Sequence, residues 1–210
     1  MKSVYNCFSG LIIKLLPVVL LLAIGLGSNS CTTGVEKSPL PGYLKVTLQS
    51  NPSDSTITIG DQKYSISDKG FLNVTVYQGA IYNDSVFTDI FSNLKEYTFF
   101  DHSYNILSLD KQGAPKKFVI FDSRIPPGAY DSLRFGLSAN SLLIGDFQIP
   151  VQLPPDAPQL YGVHFNEPLQ IKESDTTVVN LQINTFKSVQ RYRNSFYFDR
   201  KINIKNIEVR

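Results

Sequence analysis

Apolar and polar residues alternate with a period of two along most of this chain, starting near residue 43. Leu44, Val46 and Leu48 are separated by Lys45, Thr47 and Gln49, which predicts a strand with one face in a core and one in water. Ile57 and Ile59 run into Gly60-Asp61 and are followed by Tyr64 and Ile66, which predicts a tight hairpin. Leu72, Val74 and Val76 repeat the alternation. Further strands are predicted at residues 106–109, at 118–121, and through Leu133, Phe135 and Leu137. A second turn, Gly145-Asp146, joins residues 142–144 to Phe147, Ile149, Val151 and Leu153, which share one face. Val179, Leu181 and Ile183 alternate with Asn180, Gln182 and Asn184. Ile202 and Ile204 have one parity, Ile207 and Val209 the other, so a bulge is predicted near Lys205-Asn206.

Only one segment has helical spacing. Val86, Ile90 and Leu94 follow a capping residue, Asp84, and predict one short helix near 85–95, with an irregular strand as the alternative. Many short strands with Pro and Gly turns between them predict an all-β sandwich or barrel. The two Ile-Gly-Asp turns are better explained as independent hairpins than as an internal repeat.

The first 30 residues have a different pattern. Lys2 and Lys14 are the only charges before Cys31, and residues 15–27 are an unbroken apolar run. That run is about 13 residues long, against the roughly 20 a membrane-spanning helix needs. Ser28-Asn29-Ser30 then lead into Cys31. Basic, apolar, small and cysteine in that order predicts a signal peptide over 1–30, with Cys31 as the lipidated first residue of the mature chain. Ordinary signal cleavage after Ser30 is the alternative. Ser28 stands where the best-formed lipoprotein boxes carry an aliphatic residue. Residues 31–42, rich in small polar residues and carrying Pro39 and Pro41, read as a flexible tether that reaches about 35 Å when drawn straight. Residues 43–210 are expected to be a single β-sandwich domain.

Composition narrows the function classes. Cys7 leaves with the leader, so the mature domain has no internal disulfide and relies on an apolar core. Of 20 Lys and Arg against 18 Asp and Glu, the leader removes Lys2 and Lys14, which makes the mature chain formally neutral. Neutrality gives no electrostatic case for nucleic acid. No Gly-x-Ser-x-Gly elbow, His-Glu-x-x-His pair, phosphate-binding Gly loop or Cys-x-x-Cys is present, and no metal or cofactor is expected. His102 and His164 are the only histidines, and each fits an ordinary turn or strand-end position better than a Ser-His-Asp triad.

Aromatic and basic residues cluster late in the chain. Tyr192 and Tyr197, with Phe196 and Phe198, offer stacking faces for a sugar, and Arg191 and Arg193 lie in the basic stretch 187–210. The chain has no Trp, the residue sugar platforms favour. The polar face of a terminal hairpin explains the basic stretch equally simply. Asp54-Ser55, Asp84-Ser85, Asp131-Ser132 and Asp175-Thr176 resemble bacterial envelope O-glycosylation acceptors, although such pairs also make turns.

One longer stretch carries a family resemblance. Arg124-Ile125-Pro126-Pro127-Gly128-Ala129-Tyr130 precedes a strand and the Gly145-Asp146 hairpin. Pro168-Leu169-Gln170-Ile171, a strand over 176–184 and Lys187-Ser188-Val189 then follow. This order resembles the bacterial lipoprotein family catalogued as domain of unknown function 4382. The likeness spans residues 104–209 and departs from the family pattern at 194–203. It implies a Greek-key sandwich, transthyretin-like or immunoglobulin-like, and a cell-envelope location; it implies no activity. Independently, Pro127 and Gly128 shape a turn that lets Tyr130 act as a tyrosine corner, its hydroxyl bonded back to upstream backbone.

The sequence therefore predicts a lipid-anchored envelope protein without enzymatic activity, on an outer membrane by the sorting tendency of Thr32. It is expected to bind, adhere or assemble with an envelope protein or polysaccharide. A glycan-binding accessory protein is the second reading, and a hydrolase using His102 or His164 the third.

Overall fold

The period-two segments do form strands. The computed structural model describes residues 38–59, 61–66, 69–92 and 101–210, and these contain fourteen strands and no helix. The leader, Cys31 and the tether as far as residue 37 lie outside the described residues. Residues 39–210 make one compact unit, with strand pairing from Gly42.

In chain order the first strands are β1 (Gly42–Ser50), β2 (Thr56–Ile59), β3 (Gln62–Ser65), β4 (Phe71–Asn83), β5 (Val86–Ile90), β6 (His102–Asn105) and β7 (Phe118–Ile125). There follow β8 (Gly128–Ile144), β9 (Phe147–Pro150), β10 (Leu160–Ile171), β11 (Thr176–Ile183), β12 (Val189–Tyr192), β13 (Ser195–Phe198) and β14 (Ile202–Val209).

Two sheets dominate and form a β-sandwich. One has the order β14-β11-β1-β7, with β1 and β11 parallel at its centre and both edges antiparallel. The other is antiparallel and is built on the long strands β4 and β8. Its outer margins each carry two further strands in succession, β6 and β5 along β4, β10 and β9 along β8. The hairpins β2–β3 and β12–β13 stand apart as two-stranded sheets.

The core lies between the two sheets because their alternating apolar residues face one another. Leu44, Val46 and Leu48 from β1 and Val179, Leu181 and Ile183 from β11 are wholly buried, as are Val74, Leu133, Phe135 and Leu137 of the opposite sheet. Burying each such side chain is worth about 1.5–3 kcal/mol. Phe121 on β7 meets Phe135 on β8 edge-on across the layer, with ring centroids 5.9 Å apart. At Gly79 the sheets close so tightly that a Cβ would stand 2.6 Å from the Phe121 ring.

Three details of the sequence reading change. The short helix near 85–95 is not formed over the described part: residues 86–90 are β5, paired with β4 through a turn at Asp84-Ser85, and Asp84 has φ 53°. Leu94 and Lys95 lie outside the described residues. The strand expected at 106–109 is displaced to His102–Asn105, while Ile106 and Leu107 form a turn that plugs the core. The strand after Gly145-Asp146 ends at Pro150, and Phe147 is 42% exposed while Ile149 and Val151 are buried, so the four residues do not share one face. The bulge in β14 is present. Asn180 pairs with Asn206 and Leu181 with Ile204, which leaves Lys205 between registers.

The Pro126-Pro127 link carries the chain from one sheet to the other, β7 to β8. Tyr130, buried just past it, donates its hydroxyl to the Pro126 carbonyl at 2.7 Å, and burial pushes its pKa above 10.0. Gly128 opens β8 opposite Ile171. Tyr130→Phe is expected to lower the unfolding free energy by about 1 kcal/mol, read from the denaturant midpoint. An unchanged midpoint would mean that the hydroxyl contributes nothing to the corner.

Candidate functional site

Strand direction gives the sandwich two distinct poles. β1 begins at the pole where Gly42 pairs with Ile125 and Tyr43 with Thr176, and it ends where Leu48 pairs with Phe118 and Ser50 with Ile183. Nine residues at about 3.3 Å each separate these ends by roughly 30 Å. Hairpin β12–β13 lies between the end of β11 and the start of β14, and therefore belongs to the far pole. Hairpin β2–β3, which follows β1, meets the β8–β9 turn there: Tyr64 packs edge-on against Phe147 at 5.6 Å.

The four aromatic and basic candidates all fall on β12–β13 or its tight turn. Arg193, with φ 55°, occupies the turn. Tyr192 is 60% exposed and lies 6.5 Å from Tyr197, ring to ring. The Arg193 guanidinium stands 5.4 Å over Tyr192, and that of Arg191 6.0 Å over Phe196. Arg191 Nε also donates to the Arg193 carbonyl at 3.1 Å. The hairpin thus presents exposed guanidinium groups held against aromatic rings.

β13 is fastened to the body through Gln152. Its N–H donates to the Phe196 carbonyl at 3.2 Å, and its carbonyl accepts from Phe198 N–H at 2.8 Å. A cleft flanks each side of this attachment. One, about 250 Å³, is bounded by Pro150, Gln152, Asn194 and Phe196. The other, about 350 Å³, is bounded by Pro154, Asp156, Ala157, Tyr161, Asp199 and Arg200. A third, about 200 Å³, lies between the β2–β3 hairpin and the 109–115 turn, again at the far pole.

Two buried polar residues, which the sequence offered only as part of an O-glycosylation-like pair and of the Lys187-Ser188-Val189 element, hold this pole in shape. Asp54, 5% exposed, accepts from the backbone N–H of Phe186 at 2.8 Å and of Lys187 at 3.0 Å through one carboxylate oxygen. Ser188 is fully buried. Its carbonyl accepts from Asp199 N–H at 2.7 Å, its hydroxyl accepts from Lys201 N–H at 2.9 Å and donates to the Asn184 carbonyl at 2.7 Å. Ser50 and Thr185 join their hydroxyls nearby. Long-range pairing with Asp54 across some 130 positions leaves no local pattern; only the Lys187-Ser188-Val189 motif gave any signal.

The remaining candidates are scattered. His102 is exposed on the β6 margin, with Nε2 3.0 Å from Ser92 Oγ. Neither histidine forms a hydrogen bond or ion pair with a carboxylate among the described residues. His164 is exposed on β10, near enough to Asp131 to help lower its carboxyl pKa, although the Ser132 hydroxyl and Asp84 N–H do most of that. Of the proposed O-glycosylation acceptors, Ser132 is buried and Ser55 and Thr176 are half-buried, whereas Ser85 lies in the exposed β4–β5 turn. No group of three or more His, Cys, Asp or Glu is arranged to hold a metal among the described residues, and no helix there is long and apolar enough to cross a membrane.

Fold and surface together define a β-sandwich with the three clefts described above gathered at one end. Compared with protein-family models, curated proteins and solved structures, the chain matches none.

Proposed function

We propose that this chain is a lipid-anchored binding protein of a bacterial cell envelope, most simply an outer membrane, with Cys31 acylated after removal of residues 1–30. The single observation that carries this reading is the order of residues ahead of Cys31: Lys2 and Lys14, the apolar run 15–27, then Ser28-Asn29-Ser30. Within the domain, the basic-aromatic hairpin and the three clefts described above lie at the pole opposite Gly42, where β1 begins. That pole is the one we assign to an envelope protein or polysaccharide. One acyl chain binds marginally at about 0.8 kcal/mol per buried methylene, so the several chains of a processed lipoprotein cysteine are needed for lasting attachment. Kinship with the domain of unknown function 4382 family, and with it a Greek-key topology of transthyretin-like or immunoglobulin-like type, is supported by the quoted motifs and the Tyr130 corner. The exposed aromatic and cationic groups of the far pole support recognition as its chemistry.

Expression in a bacterial host with membrane fractionation tests the anchor. The native chain is expected to sediment with membranes, resist a high-salt wash and dissolve in detergent, while Cys31→Ser leaves it in the soluble fraction or retained with its leader. Release of the native chain by salt alone would rule out the lipid.

A further inference from the structure

Arg200 is the only buried Lys or Arg among the described residues, 3% exposed. Its Nη2 donates to the Pro158 carbonyl at 2.8 Å, but Nη1, equally closed off from water, has no partner among the described residues. The guanidinium lies 5.5 Å over the Tyr161 ring. No carboxylate forms an ion pair with it among the described residues; the adjacent Asp199 faces Lys201 at 3.9 Å instead. A cation withdrawn from water without a counter-charge is costly, and so is a donor left unmade. The backbone at Arg200 is strained as well, with φ 35°. It is held there by the two bonds from Asp199 N–H and Lys201 N–H to Ser188. Strain of this kind persists only where surrounding contacts over-determine it, and it concentrates at functional sites.

Arg200 also forms part of the wall of the 350 Å³ cleft. We propose that this cleft binds an acidic sugar whose carboxylate is taken by Arg200. A guanidinium nitrogen without a partner is matched best by a carboxylate oxygen, in a charge-assisted bond. Asp156 and Asp199 on the same wall accept hydrogen bonds from hydroxyls and repel any second negative charge. One carboxylate surrounded by hydroxyls therefore fits, and a polyacidic peptide does not. Pro154 and the half-buried Tyr161 ring supply apolar faces for the sugar's C–H surface. Because Nη1 is closed off from water, segment 154–158, held to the guanidinium through Pro158, must move aside for the ligand's carboxylate to reach it. This deepens the reading of the domain as a binding component and is independent of the anchor.

Titrating the purified full chain in detergent with galacturonate, glucuronate, galactose and tetraglutamate, by calorimetry, tests the proposal. At least one uronate is expected to bind, with the neutral sugar and the peptide at least tenfold weaker. Arg200→Met should reduce uronate affinity at least tenfold while the protein stays folded by circular dichroism. Ala157→Trp, which fills the cleft and leaves Arg200 itself unaltered, should do the same and serves if Arg200→Met fails to fold. Binding of neither uronate, equal binding of the neutral sugar, preference for the peptide, or uronate affinity unchanged in the folded variants would overturn it. The fatty-acyl state of Cys31 enters none of these readings, so failure here is separable from failure of the anchor.

Discussion

Phe135→Ala is expected to lower the free energy of unfolding by about 3–5 kcal/mol, the upper end of what truncating one core side chain costs. Phe135 is wholly buried on β8, edge-on to Phe121 of the opposite sheet at 5.9 Å and to Tyr161 of β10 at 6.3 Å. Removing the ring takes away its transfer free energy and leaves a cavity between two sheets that cannot collapse independently. β8 is paired on both sides and β7 is fixed to β1. Residues 39–210 contain no cysteine, so nothing covalent compensates. Denaturant unfolding monitored by far-ultraviolet circular dichroism reads the loss. A change below about 1 kcal/mol would mean that the sheets do not share this core.

Asp54→Ala should cost about 2–4 kcal/mol, because hydrogen bonds to charged groups are worth about 1.5–3 kcal/mol each and two N–H donors lose their acceptor. One of them, at Phe186, is buried. Asp54→Asn is expected to recover most of the loss, since a single carbonyl oxygen suffices where one carboxylate oxygen already accepts both bonds. The damage should be local to the far pole, where the 184–188 turn positions Ser188 and, through it, Arg200. Amide hydrogen exchange would show faster exchange at 186–201 with β4 and β8 little changed. Uniform acceleration across the domain would instead mark Asp54 as part of the global core.

Those two residues also show where sequence pattern informs and where it stops. The strands β1 and β11 were legible because alternation is local. The water-facing side expected for β1 is not there: Thr47 and Gln49 of β1 and Asn180 of β11 are buried as well, since both strands are central in their sheet. The Lys205 bulge was legible too, since a change of parity within one strand has few other causes. Residues 86–90 misled for a specific reason: a spacing of four satisfies both the helical period and twice the strand period, so Val86 and Ile90 fit either. β6, His-Ser-Tyr-Asn, is a polar margin strand with no apolar signature, whereas Ile106 and Leu107 next to it are apolar because a turn buries them. At the candidate site, the hairpin aromatics and arginines stood out by residue type. Arg200 did not. Its burial depends on segment 154–158 and on Tyr161, which are remote in sequence, and composition counted it as one more surface charge.

The intact mass of the protein recovered from the envelope most directly tests whether it is a lipoprotein. A mature chain beginning at Cys31 and heavier than its polypeptide by a diacylglyceryl group, with or without an added amide-linked acyl chain, is the expected result. An unmodified Cys31 thiol, or a leader still attached, would contradict it.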